Sequence, residues 1–168
     1  MKRPSKKIGI TTALLIITLF TQLTAHAQIG PEPKSHARPS RIVGLWDVDV
    51  TINHCTLGFE IANFKALHKY ELGGTGQVVP ATNPTGLSAH MMIWSHVGDN
   101  DYQMSMKMFR FDADGNYIGW MVLTNEISIN EAADEYAGSG IAEVFNADGV
   151  LVAQTCPTFV GSRFTGGL

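Results

Sequence analysis

From Ile42 onward the chain alternates with period two: Ile42, Trp46, Val48, Val50 and Ile52 share one face, and Asp47, Asp49 and Thr51 share the other. A strand with one face buried matches this pattern, whereas a helix, repeating every 3.6 residues or so, does not. Similar runs follow at 64–71, 75–79, 90–97, 101–111, 117–127, 134–145 and 150–164, each bounded by turn residues. The 17 glycines and 7 prolines are spread between these runs, which excludes a helical bundle. At 168 residues, 45% hydrophobic and 16% charged, the chain has one domain's worth of core and is too apolar to be disordered. The pattern predicts a single all-β domain of eight strands.

The first residues follow a different logic. Lys2, Arg3, Lys6 and Lys7 precede an uncharged stretch of 13 residues from Ile8 to Phe20, and Ala25-His26-Ala27 then supplies a small-x-small site. This reads as a secretory signal peptide over 1–27, cleaved after Ala27 to expose Gln28. The stretch is shorter than the roughly 20 residues that span a bilayer as a helix, and no second one follows, so no membrane span is expected in the mature chain. The residue directly after the cleavage site is Gln28 and not a cysteine, so no lipid anchor is expected there. Residues 28–41, with three prolines and no apolar period, read as an exposed linker, and 42–168 as the domain. The expected location is secreted or periplasmic.

Export alters the charge and the redox setting. Without the leader, 8 Lys and Arg face 15 Asp and Glu, a net charge of −7, and the basic residues are scattered singly. Such a surface repels phosphate backbones, so nucleic acid is not an expected partner. Cys55 and Cys156, the two cysteines of the chain, are expected to form one disulfide, because such bonds persist outside the cytoplasm.

Two boundaries are near copies, Asp112-Ala113-Asp114-Gly115 and Asn146-Ala147-Asp148-Gly149, and read as β-hairpin turns with Gly free to take positive φ. The first is not a calcium loop, since the EF-hand spacing fails after the Gly. Gly73-Gly74-Thr75-Gly76 lacks the Lys of a phosphate loop and reads as a tight turn.

Sequential hairpins can close as an up-and-down barrel, which removes the exposed sheet edges. Closure sets the last strand antiparallel to the first, where Cys156 and Cys55 can meet. With the cysteines opposite each other, Arg163 falls opposite Val48 and diagonal to Trp46, facing inward, while both cysteines face outward with Asp47 and Asp49. Pro157 cannot donate to the ladder and marks a candidate bulge that would alter this parity.

Gly44-Leu45-Trp46 at the start of the first strand resembles the Gly-x-Trp of lipocalins, a family in which an Arg from the end of the barrel packs over this Trp, as Arg163 would here. The similarity covers about Ile42 to Phe164. Phe64-Lys65-Ala66-Leu67, Gly73-Gly74-Thr75 and Gly161-Ser162-Arg163-Phe164 also look like a group of exported bacterial lipocalin-like proteins. The chain lacks the Thr-Asp-Tyr segment of lipocalins, and another eight-stranded barrel, the allene oxide cyclase type, is the alternative resemblance. The fold class expected is all-β, an eight-stranded antiparallel up-and-down barrel (lipocalin/calycin-like) closed by one disulfide. Trp46 and Arg163 are structural in this reading.

Function then depends on the interior. In the second strand Phe64, Ala66, His68 and Tyr70 share the face opposite Lys65, Lys69 and Glu71, and should point inward. Burial would keep His68 neutral, fit either for a structural hydrogen bond or for ligand contact and proton transfer. In the fifth strand Tyr102, Met104, Met106 and Met108 share a face; methionine suits a flexible apolar ligand and suits core filling equally. Arg110, at the end of that row, is expected to pair locally with Asp112 or Asp114. The 90–97 strand has two tolerably apolar faces, His90, Met92, Trp94 and His96 against Met91, Ile93, Ser95 and Val97. Strand spacing puts His90 and His96 about 20 Å apart, too far to share a metal ion, so no metal and no other cofactor is expected. No nucleophile lies in a recognisable setting, so hydrolase chemistry has no support. The expectation is a barrel that binds a small hydrophobic molecule through Phe64, His68, Tyr70, Tyr102, Met104, Met106 and Met108. The alternative is an allene-oxide-cyclase-like cyclase or isomerase in which His68, Tyr70 or Glu126 moves a proton.

Overall fold

In the computed structural model, which describes residues 41–82 and 86–166, eight antiparallel strands follow one another around a closed barrel. They are β1 (Gly44–Asn53), β2 (Glu60–Glu71), β3 (Thr75–Pro80), β4 (His90–Gly98), β5 (Asp101–Phe111), β6 (Tyr117–Ile129), β7 (Glu135–Asn146) and β8 (Leu151–Arg163). Each strand pairs with the next, and β8 pairs with β1. The expected leader and linker, up to residue 40, lie outside the described residues. Arg41, counted with the linker above, donates to the backbone carbonyl of Asn130 at 2.8 Å and so belongs to the barrel end.

The strands lie where alternation places them, with one large exception. β2 begins at Glu60, four residues before the expected start. Residues 60–63 are exposed on both faces, so no apolar period marks them, and backbone pairing with β1 alone makes them strand. The twin turns form as expected. Asp112 Oδ1 accepts from the N–H groups of Asp114 and Asn116 at 3.0 and 2.8 Å, and Asn146 Oδ1 accepts from those of Asp148 and Val150 at 3.1 and 2.9 Å. Gly115 and Gly149 each take φ of 84°. The Asp112 carboxylate is thereby taken up within its own turn, and Arg110 makes no ion pair with it or with Asp114, contrary to expectation.

The disulfide joins Cys55 to Cys156 across 101 residues, with the Cα atoms 4.9 Å apart. The register it was expected to set is two residues out. Asn53, not Cys55, lies opposite Cys156, and Trp46 lies directly opposite Arg163. Cys55 has already left the strand, in a turn where His54 accepts from Gly58 N–H at 2.8 Å, and it reaches back to its partner from there. A shift of two preserves every side chain's face, so Arg163 still points in with Trp46. Pro157 brings no bulge: the β1–β8 register runs unbroken through Ile52 and Pro157, whose ring is buried inward.

Inside, one half of the barrel is packed solid. Trp46, fully buried, donates from Nε1 to the Ile42 carbonyl at 2.8 Å and meets Tyr136 edge-on at 4.9 Å between ring centroids. Tyr70, Trp94 and Tyr102 continue the cluster with edge contacts of 6.0–6.3 Å. Such geometry satisfies the ring quadrupoles as well as burying area. Glycines make the space: a Cβ at Gly161 would meet the Tyr136 ring, and one at Gly138 would meet Phe159. For β4, the structure turns His90, Met92 and Trp94 inward, with Trp94 Nε1 donating to the Thr75 carbonyl at 2.9 Å.

Candidate functional site

The other half of the barrel, away from Trp46, is not filled. It holds a cavity of about 250 Å³, walled by Val50, Met106, Met108 and Leu123, with Phe64 and Leu87 toward its outer end. Where the cavity meets the aromatic cluster stand His68 and Phe159, ring centroids 6.0 Å apart. No Asp, Glu, Lys or Arg is among its described lining residues.

His68 is placed by the inward parity of β2 and held by Tyr136, whose hydroxyl lies 2.8 Å from Nδ1. Burial pushes the imidazole from its ordinary 6.5 down to about 3, with the nearby His90 a second cause. Burial likewise lowers His90 to about 4. Both are neutral at pH 7. Burial also raises the Tyr70 and Tyr136 hydroxyls, which stay protonated. Tyr70 Oη reaches Met104 Sδ at 3.5 Å, and its ring meets that of Tyr136 edge-on at 6.1 Å between centroids. The polar part of the interior is therefore an uncharged hydrogen-bonding group of Tyr136 and His68 backed by Tyr70, which can position or share a proton but carries no resident charge.

Of the seven expected ligand contacts, Phe64, His68, Met106 and Met108 line the cavity. Tyr70, Tyr102 and Met104 face inward too, but into the packed half, where Trp94 and Tyr136 cover them. Inward parity alone does not distinguish the two halves, because it says nothing of depth along the barrel. Glu126 is corrected: it is exposed on the outer wall, and the inward residue beside it is Asn125. Asn125 is a residue that the sequence reading does not single out. The signal was present, since Gly119, Met121, Leu123, Asn125, Ile127 and Ile129 share a face on which Asn125 is the one polar member. Across the ladder Gly140 gives it room, as a Cβ there would meet the Asn125 side chain.

His90 Nε2 and both side-chain atoms of Asn125, Nδ2 and Oδ1, are buried without a hydrogen-bond partner. His96 is elsewhere, exposed, its Nε2 at 2.9 Å from the Asp99 carbonyl. Among the described residues no group of three or more His, Cys, Asp or Glu side chains is arranged to hold a metal ion. A shallower concavity of about 550 Å³ lies on the outer wall around Gln103, Glu126 and Ser139. It arises where small residues of β7 leave the surface hollow, it is open to solvent, and it lacks the enclosure that removes a ligand from water.

Set beside known proteins, the chain matches no family model, no curated protein and no solved structure.

Proposed function

We propose that this chain is an exported barrel that carries or sequesters a small hydrophobic molecule in its interior cavity. The cavity is the observation that carries the reading. A core filled to ordinary protein density leaves few voids larger than a water molecule, and about 250 Å³ is well beyond that. Met106, Met108 and Met121 around it adapt their shape at small cost. The lipocalin-like resemblance agrees, since Arg163 over Trp46 shuts one end of the barrel in the manner of that family. Export rests on the leader, and the disulfide is consistent with an oxidising compartment.

A second reading, an allene-oxide-cyclase-like cyclase or isomerase, is favoured by one observation: His68 lines the cavity and has the Tyr136 hydroxyl on its Nδ1. An imidazole oriented by a hydroxyl can move a proton on a substrate folded against it.

The test is purification from the native host under mild conditions, with untargeted mass spectrometry of released small molecules. One or a few hydrophobic molecules in near-stoichiometric amount are expected, lost when Met106→Trp fills the cavity. Protein that carries nothing, and whose Met106 and Met108 methyl resonances ignore added apolar probes, overturns the proposal.

A further inference from the structure

We infer that the molecule held in the cavity is a compact apolar compound bearing one uncharged group that both donates and accepts hydrogen bonds, a hydroxyl or carboxamide, seated on Asn125. This deepens the binding function proposed above and rests on it.

Three buried atoms in the cavity wall have no partner: Asn125 Nδ2, a donor; Asn125 Oδ1, an acceptor; and His90 Nε2. Asn125 is 1% exposed and His90 6%. A buried polar group left unsatisfied destabilises the fold, so an amide at this position of β6, where Leu would pack, calls for a partner. The residue paired with Asn125 is Gly140, where a Cβ would strike the Thr124 carbonyl as well as the amide, so close backbone approach calls for glycine there. Without ligand, water satisfies such atoms. A ligand that displaces this water keeps the hydrogen bonds only if it offers a donor and an acceptor of its own.

Charge is selected against by the same wall. A carboxylate accepts but does not donate, and the described lining holds no Lys or Arg to balance it. Both histidines are held neutral by burial. An ammonium would find no carboxylate, Glu126 being outside. Burying either ion unpaired is far costlier than burying a hydroxyl with partners. Size follows from volume: a cavity of about 150 Å³ accepts benzene, so about 250 Å³ accepts roughly ten heavy atoms.

The experiment uses the mature protein and five probes on one skeleton: cyclohexylethanol, cyclohexylacetamide, cyclohexylacetate, cyclohexylethylammonium and ethylcyclohexane. Affinities are read by calorimetry and by Met methyl shifts at pH 7. The alcohol and the amide are expected to bind at least about tenfold tighter than the two ions. In Asn125→Leu the alcohol should weaken about tenfold while ethylcyclohexane holds or improves. Binding of the carboxylate or the ammonium as tight as the alcohol overturns the inference and leaves the cavity-binding function standing, as does an unchanged alcohol affinity in Asn125→Leu. Failure of all five probes to bind overturns the binding function itself. Where Asn125→Leu folds poorly, Asn125→Val is read in its place, with the same weakening of the alcohol expected and an unchanged affinity overturning the inference.

Discussion

The guanidinium carbon of Arg163 lies 4.2 Å from the centre of the Trp46 ring, and the two residues are direct partners across the β1–β8 seam. The guanidinium is also fastened by its edges. Nε donates to the Ala133 carbonyl at 2.6 Å, Nη1 to that of Val43 at 3.0 Å, and Nη2 to that of Arg41. One planar cation thus stacks on the buried indole and ties the β6–β7 loop to the chain entering β1. Lys has neither the flat face nor the three donors in a fixed fork.

Trp46→Ala should therefore cost roughly 3–5 kcal/mol in denaturant unfolding, the range for removing a buried aromatic. Arg163→Lys should cost more than the roughly 0.5 kcal/mol typical of a surface exchange. Affinity for a cavity ligand should hold in both variants, since Trp46 lies in the packed half. Lost affinity at unchanged stability would show that the indole touches the ligand instead.

Reduction should be felt globally. The disulfide closes a loop of about 100 residues, worth up to about 4.7 kcal/mol in the chain-entropy account, and it clamps the seam on which barrel closure depends. A Cys55→Ser, Cys156→Ser double variant should lose a few kcal/mol in unfolding free energy. Unchanged stability in that variant would mean that the β1–β8 ladder holds the barrel unaided.

The barrel was legible in the sequence because its information is parity and punctuation. Alternation tells which side chains face in, and Asp-Gly turns tell where strands reverse, so β1 and the hairpins at Gly115 and Gly149 could be placed from residues alone. Register is less visible, because a shift of two leaves parity untouched; pairing Cys55 with Cys156 as opposites hid the turn that carries Cys55. Depth along the barrel is less visible still. Nothing local separates Met104, packed under Tyr70, from Met106, which faces the cavity two residues on. Asn125 is harder to read than Glu126 because an amide does not titrate, although a polar residue in an apolar row is the stronger sign of a site in a neutral interior.

Acid should unfold the protein over a defined window. His68 and His90 have folded pKa values lowered to about 3 and about 4, against 6.5 for an unperturbed imidazole. Above pH 6.5 neither state takes up protons at these sites, and they add no pH dependence. Between about 6.5 and 4 the unfolded chain binds protons that the folded one refuses, so stability falls as pH falls, by up to about 1.4 kcal/mol per pH unit for each histidine. His68→Phe should flatten this slope by about half in urea titrations across that range. An unaltered slope would assign the acid sensitivity to carboxylates.

Carrier and catalyst part company at the same residue. In a carrier, His68→Phe exchanges a polar group for an apolar one of similar bulk, so affinity for an apolar ligand should hold or rise. Its cost should appear in stability, about 1–3 kcal/mol, because the Tyr136 hydroxyl loses its partner at 2.8 Å. Met106→Ala, which strips a cavity wall, should weaken binding more. In a cyclase or isomerase the order reverses: His68→Phe should lower turnover by about 10²–10⁴ with affinity little changed, the range for loss of a general acid or base. Tyr70→Phe is the control that the packing supplies. Tyr70 lies in the packed half with its hydroxyl on Met104, so as a carrier's core residue it should alter stability alone, while a fall in turnover would mean that protons reach His68 through the tyrosines. Affinity and turnover measured on the same three variants, with the molecule recovered from the native host, separate the two functions.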